Sequence, residues 1–495
     1  MRSPNRWLVL LAVIAAFTPV VVDMTILHIA VPSLTVALGA SGTEVLWIID
    51  IYPLVVAGML VPMGTLADRT GYRHMLLTGL TVFTAASVAA AFSLSAPMLI
   101  AARAALGVGA SMIMPCVLAV IRQTFEDESE RATALGVWSV VGSAGAAIGP
   151  LAGGFLLEHF WWGSVFLVNV PIMMVVIPMV WLLTPAAVSG RGGEWKIGQA
   201  LILVAGLIST VYAIKTGFKS GIGVSSVVPF VFGVSLLTFF GRLQVSSVTP
   251  MLDLSLLVKP AIAVGFLMAF VASGALAGFE LVLAQELQFV LEKSPLEAGL
   301  FMMPLVVAAA IGGPVGGRLA HRFGLRPVAS LSMAVAALSL VGLAYADFVL
   351  DAYLVTGLLA ALGFSLGVGL LASSIAIMSS APAEKAGAAG ALESTGYELG
   401  GGLGITFFGV MVNSIFQSAY TGPNSGGVAN SIGEAITAAE RIGGHQGEAI
   451  IVAARLAFAD AHGLVLILTG ALIALLAISV FWGLRNVSTS DVRSH

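Results

Sequence analysis

Gly64-Thr-Leu-Ala-Asp-Arg-Thr-Gly-Tyr-Arg73 recurs in the second half of the chain as Gly317-Arg-Leu-Ala-His-Arg-Phe-Gly-Leu-Arg326. Gly64, Arg69, Gly71 and Arg73 match Gly317, Arg322, Gly324 and Arg326 in identical register. Each copy follows an apolar run that reads as the second membrane span of a block of six, so the chain reads as two homologous halves. Pseudo-symmetric halves around a midplane site are the architecture of alternating access, for which a receptor or membrane enzyme has no need.

Composition agrees. Of 495 residues, 58% are hydrophobic and 9% charged, against roughly a quarter charged in an average soluble domain. So few charges cannot make a water-facing surface, so most of the chain must face lipid or other helices. The 57 glycines suit that setting, because small residues let membrane helices approach closely. A net charge of −3 selects no partner, since the signs are segregated by loop; the lipid bilayer is the expected surroundings, and nucleic acid is not an expected partner. Cys116, the single cysteine, excludes an intramolecular disulfide and reads as a small buried residue. Arg2 and Arg6 precede an apolar stretch that outruns a signal-peptide core, so it reads as the first span.

Apolar runs of about 20 residues give about fourteen spans, from Trp7–Leu38 to Gly463–Leu484, with Gly198–Ile214 and Val224–Phe240 the shortest. The expected fold is all-α: a six-helix bundle at 1–185, two extra helices with linkers at 186–258, and a second six-helix bundle at 259–495. Lys and Arg placement sets orientation. Inner loops hold Arg69, Arg73, Arg122, Arg131, Arg191, Lys196, Arg242, Lys259, Arg318, Arg322 and Arg326, with Arg485 and Arg493 in the tail. Lys215 and Lys219, assigned to an outer loop, run against the rule. An even span count places both termini in the cytoplasm, and the expected location is a bacterial inner membrane. The segment 413–462 is Gly- and Ser-rich, then amphipathic over Glu434–Asp460; it is expected on the outer surface, lying on the membrane interface or on its own protein.

The two inner loops resemble the signature of the major facilitator superfamily, and the resemblance covers nearly the whole chain. Gly64, Asp68, Arg69, Gly71 and Arg73 match its first inner loop, with Tyr72 where a basic residue is usual. Arg103, Gly107 and Gly109 resemble the fourth-span motif of proton-coupled members, with Leu106 in place of Gln. Gly136, Gly145, Gly149, Pro150, Gly153 and Gly154 have the spacing of the exporter-type motif. Val22-Asp23-Met-Thr-Ile-Leu-His-Ile-Ala-Val-Pro32 resembles the first-span motif of the fourteen-helix drug:proton antiporter branch, with His28 where Asn is common; Trp47 and Tyr52 fit the same branch. Within it the chain is most similar to methyl viologen and quaternary ammonium efflux pumps of the SmvA/QacA type. The resemblance implies that Asp68, Arg69 and Arg73 latch the inner side of one half in the outward-facing state; the second loop has His321 where that Asp would be, so a symmetric latch is not expected.

Gly145, Gly149 and Gly153 recur every four residues and so form a stripe drifting about 40° per step, which lets a neighbouring helix pack almost backbone to backbone; with the kink of Pro150 it is expected to be a sealed, bendable hinge between the halves that limits proton leak. Gly396, Gly400 and Gly404 form a second stripe, read as plain packing. Intramembrane charges carry the most information, because an ionisable group at mid-bilayer costs at least ~2.5–3.5 kcal/mol and normally faces a cavity or a partner. Asp23, Asp50, Glu280, Glu393 and Glu398 are therefore the candidates for proton coupling and cation binding, Asp23 foremost, with an ion pair to Arg103 as the structural alternative. Asp50 reads either as a binding group or as a steering charge at the outer mouth. Glu393 and Glu398 lie about 140° apart around their helix and are not expected to face one cavity. Glu286 and Glu292 read as solvated, and His28 as a hydrogen-bonded packing residue. Tyr52, Phe279 and Tyr397 neighbour the acids and offer faces on which a flat cation could stack.

The expected function is proton-coupled efflux of cationic lipophilic compounds (quaternary ammonium antiseptics, biguanides, viologens, dyes) by a monomer. Proton-coupled uptake or export of a small metabolite is the alternative. The proton gradient is the expected energy source, with no cofactor, metal or ATP. No Walker A run, no H-E-x-x-H and no G-x-S-x-G elbow with a partner set is present, so an enzyme is not expected.

Overall fold

The computed structural model describes residues 5–184, 194–423 and 430–485. Arg2, Arg191, Arg493 and the expected boundary at 185–186 lie outside the described residues. In lipid a single segment must satisfy its own backbone, so long apolar runs become helices. Among the described residues, fourteen helices are long and apolar enough to cross a membrane. The first half comprises α1 (Arg6–Leu38), α2 (Gly42–Thr70), α3 (Tyr72–Ala91), α4 (Ala96–Thr124) and α5 (Glu128–His159), with α6 (Ser164–Leu167) and α7 (Asn169–Leu183) as its sixth span. The inserted pair is α8 (Ile197–Ser220) and α9 (Val224–Ser246). The second half comprises α10 (Pro260–Gln285), α11 (Pro295–Phe323), α12 (Leu325–Tyr345), α13 (Ala352–Ser380), α14 (Ala386–Ala419), the short α15 (Ile432–Ile442) and α16 (Gly444–Gly483). We call the side where α1 begins the N-side and the opposite one the far side.

Two expectations need correction. The inserted helices are full length, at 24 and 23 residues. The stretch Glu434–Asp460 is not one surface helix. α15 buries Ile432, Ala435 and Ala439 against its own protein, whereas Gly444–Asp460 is the beginning of α16, a single helix of 40 residues continuous with the last span. Charged residues on one face disguised that continuity.

The repeat builds the same device twice. Gly71 (φ 94°) and Gly324 (φ 88°) make the tight turn between the second and third spans of each half, in a region where a Cβ is strained. The arginine two residues on then donates to a last-turn carbonyl of the sixth span: Arg73 to Trp181, and Arg326 Nε to Phe481 at 2.8 Å. Both guanidinium groups also lie over the ring of that residue. Cations at a helix C-terminus satisfy free carbonyls and the helix dipole. At the other end of the second span, Ser41 with Glu44 and Ser294 with Glu297 form matching capping boxes.

Both glycine stripes do the same work. A Cβ on Gly149 would collide with Thr25 and come within 3.0 Å of the Ile26 amide, and one on Gly153 would come within 2.8 Å of the Ile26 side chain, so α5 lies almost backbone to backbone on α1. Gly400 and Gly404 lie equally close to Phe270, Ser273 and Gly274 of α10. Gly136 meets nothing within 4 Å and takes no part. The stripes thus fasten the first and fifth spans within each half, which corrects the expectation that Gly145, Gly149 and Gly153 form a hinge between the halves. The halves meet along α5–α11, where a Cβ on Gly154 would lie 2.6 Å from the Pro295 carbonyl, and along α2–α14, where Gly402 faces Pro53 and Gly409 faces Leu46. α8 lies against α2 and α14.

Candidate functional site

Side-chain charge inside the helices is arranged in pairs. Asp23 and Arg103 are 1% exposed each and form an ion pair in which Nη1 donates to Oδ2. Arg103 Nε donates to the Ile48 carbonyl at 3.1 Å, and its guanidinium lies 4.6 Å from the centre of the Tyr52 ring. A guanidinium with a carboxylate, a carbonyl and an aromatic face is well held in a low-dielectric interior. This is the structural alternative raised for Asp23. The pair locks α1, α2 and α4 together and occupies the acid taken as foremost in coupling.

Asp50 does not sit at a watery mouth; it is wholly buried. Lys215 Nζ donates to its Oδ2 at 2.7 Å, and Thr406 Oγ1 of α14 donates to the same oxygen at 2.5 Å. Lys215 is no loop residue but part of α8, 2% exposed. The apparent violation of the charge rule was the signal: a lysine one residue beyond an apolar run needed an acid, and Asp50 needed a cation. Glu280 of α10 meets His28 of α1 at 3.0 Å, across the two halves, which gives His28 more than a packing role. Glu286, expected to be solvated, is buried beside His462 at 3.4 Å. That partner was hidden because the sequence around it reads as surface. Glu292 is exposed and paired with Arg455.

The remaining acids are on α14. Among the described residues neither Glu393 nor Glu398 is in an ion pair, and Glu398 Oε2 is buried without a hydrogen-bond partner. Glu398 lies within electrostatic reach of Tyr52 of α2, as do Asp23 and Arg103, and the Tyr52 hydroxyl is likewise buried and unpartnered. Glu393 points elsewhere, toward Ser374 of α13 and Tyr397, as the helical angle between the two acids requires. Tyr397 donates to the Leu370 carbonyl at 2.8 Å. Phe279 is fully buried in the apolar core of the second half, so it presents no face to a cavity here. Asp68 accepts from Tyr72, while Asp68 and Arg69 are exposed on the N-side.

Contacts between the halves have one location. The hydrogen bonds that join them are His28 with Glu280, Asp50 with Thr406, the Gly42 amide to Glu434 at 2.7 Å, and Gln288 to the Ile29 carbonyl at 3.0 Å. With the Gly154–Pro295 and Gly409–Leu46 contacts, all lie from mid-depth to the far side. Among the described residues, then, the far side is the closed one. Two of the buried acids, Asp50 and Glu280, belong to that closure, and Glu398, about two turns nearer the N-side than Thr406 on α14, lies beneath it.

The Major Facilitator Superfamily model matches residues 12–405. The chain is 47% identical over 490 residues to the methyl viologen resistance protein SmvA of Salmonella typhimurium, covering 97% of this chain and 99% of that one. It is 34% identical over 464 residues to the multidrug efflux pump LfrA of Mycolicibacterium smegmatis, covering 92% of each. A bacterial homolog of the human lysosomal transporter Spinster, solved in an inward-facing, unoccupied conformation, superposes with a TM-score of 0.66 at 18% identity over 98% of this chain and 99% of that one, which shows the fold alone. Built as two duplicated bundles with an inserted pair of helices, the chain belongs to the major facilitator superfamily and is a transporter.

Proposed function

We propose that this chain exports lipophilic organic cations from the cytoplasm across a bacterial inner membrane in exchange for protons, as a monomer with both termini cytoplasmic and without ATP. The observation that carries this reading is Glu398. It is a buried carboxylate with an unpartnered oxygen on α14, the helix that packs on α2 across the seam of the halves, within electrostatic reach of Tyr52. Such a group can hold a proton or a cation, and the two compete. Names such as methyl viologen resistance and multidrug efflux among the relatives supply the substrate class.

In this mechanism the cation enters from the N-side, where none of the closing contacts described above lies, and displaces a proton from Glu398. The bundles rock, the far-side contacts part, and protons arriving from the far side release the cation. A potential of 100 mV contributes ~2.3 kcal/mol per charge moved, and each pH unit about 1.4 kcal/mol per proton. Exporting a dication against a single proton works against the potential, so at least two protons are required. Glu280, which meets His28 across the seam, is the second carrier; Asp23 joins only if Arg103 lets go of it. The exporter-type stripe Gly145, Gly149 and Gly153, tight against α1, seals against proton leak. Export of a small metabolite would need a different counter-group.

The test uses inside-out vesicles energised to an acid interior. Adding methyl viologen or a quaternary ammonium compound is expected to dissipate the gradient with the wild-type chain and not with Glu398→Gln. No cation-dependent flux in the wild type would overturn the reading.

A further inference from the structure

The node at Asp50 joins three bodies. Asp50 is on α2 of the first half, Thr406 on α14 of the second, and Lys215 on α8 of the inserted pair, and both partners donate to Asp50 Oδ2. The Lys215 ammonium also lies 4.0 Å from the centre of the Trp47 ring on α2. A carboxylate beside an aromatic face is the box that recognises an organic ammonium, and here the chain's own lysine fills it. One turn toward the far side, Gly409 of α14 packs on Leu46 of α2, so the node lies inside the α2–α14 seam and not beside it. Above it a vestibule on the far side is lined by Thr43, Leu46, Lys215, Asn413 and Ser414.

We propose that Lys215 is a tethered cation that latches the far-side gate: by neutralising Asp50 within the α2–α14 seam, it holds the halves together and couples the inserted pair to the closure. Opening the far side pulls Thr406 away from Asp50, and Lys215 must leave or follow one partner. Buried in this way without its lysine, the Asp50 carboxylate would be an uncompensated charge, which drives the seam apart to admit water. While latched, Asp50 is unavailable to transported cations, and the vestibule opens onto an occupied ammonium site. A returning cation finds its place taken. The inference rests on the alternating-access reading above, but its test does not require transport.

Ser414→Cys provides the reporter, since Cys116 is wholly buried and can be replaced by serine. A membrane-impermeant maleimide is added on the far side, with neither substrate nor gradient. Labelling is expected to be slow in the parent and at least fivefold faster with Lys215→Met or Asp50→Asn, with Lys215→Arg close to the parent. The double variant Asp50→Asn/Lys215→Met is expected to label no faster than either single, because one latch is broken once. That double variant carries no unpaired buried charge, so it remains informative where a single variant fails to fold. Parent-like labelling in the double variant, or single effects that multiply, would overturn the latch. If the labelling pattern holds while no organic cation is exported, the proposed function falls and the latch stands.

Discussion

The two halves share a frame and part company over charge. In the first half the buried acids are paired with basic side chains, Asp23 with Arg103 and Asp50 with Lys215 of the inserted pair. In the second half Glu280 and Glu286 face only histidines, and Glu393 and Glu398 face no cation among the described residues. An arginine does not release its proton and holds a carboxylate ionised, whereas a histidine or an empty site lets the acid change state. On the proposed mechanism this difference divides the work: the first half is the charged scaffold and the second carries the exchangeable protons. The halves thus differ in how their buried acids are partnered, although their turns, caps and stripes stayed matched.

The comparison breaks first at Arg103. Arg103→Ala leaves Asp23 buried and unpaired, which is expected to cost about 3–5 kcal/mol, read as a large fall in melting temperature in detergent. Glu398→Gln should leave the melting temperature unchanged or raised. Equal losses for both variants would erase the distinction between scaffold and exchanger. Next come the stripes. Gly149→Val and Gly404→Val each drive a side chain into a facing backbone or Thr25 and are expected to cost about 1–3 kcal/mol, while Gly136→Ala, with open space around it, is expected to be neutral. A tolerant Gly404 would mean that the second stripe is not the counterpart of the first. Smallest are the turns: Arg73→Ala and Arg326→Ala should each lose about 0.3–1 kcal/mol, in similar amounts, since both cap the sixth span of their half.

Much of this frame was legible in the sequence, and for a physical reason. Hydrophobic length and the four-residue glycine spacing are local signals, and they gave the spans and the close-packed stripes; which helix the first stripe meets was not local, and it packs within its half rather than between the halves. Partners were not legible, because pairing depends on which helices meet. Arg103 was named as one partner for Asp23, yet nothing local says that Lys215 turns inward at Asp50 or that His462 belongs to a helix 40 residues long. The acids were found because they are costly in lipid, but how that cost is relieved at each could not be read locally. Asp23, the foremost candidate, is the one most firmly held.

The central claim is that protons are exchanged at Glu398, and counting protons on binding tests it most directly. Purified protein in a weakly buffered detergent solution is titrated with a quaternary ammonium compound or methyl viologen while pH and bound cation are followed together. The wild-type chain is expected to release protons on binding, and Glu398→Gln to release at least one fewer per cation at a melting temperature no lower than wild type. The same proton count in both would contradict the assignment and return the exchange to another acid of the seam.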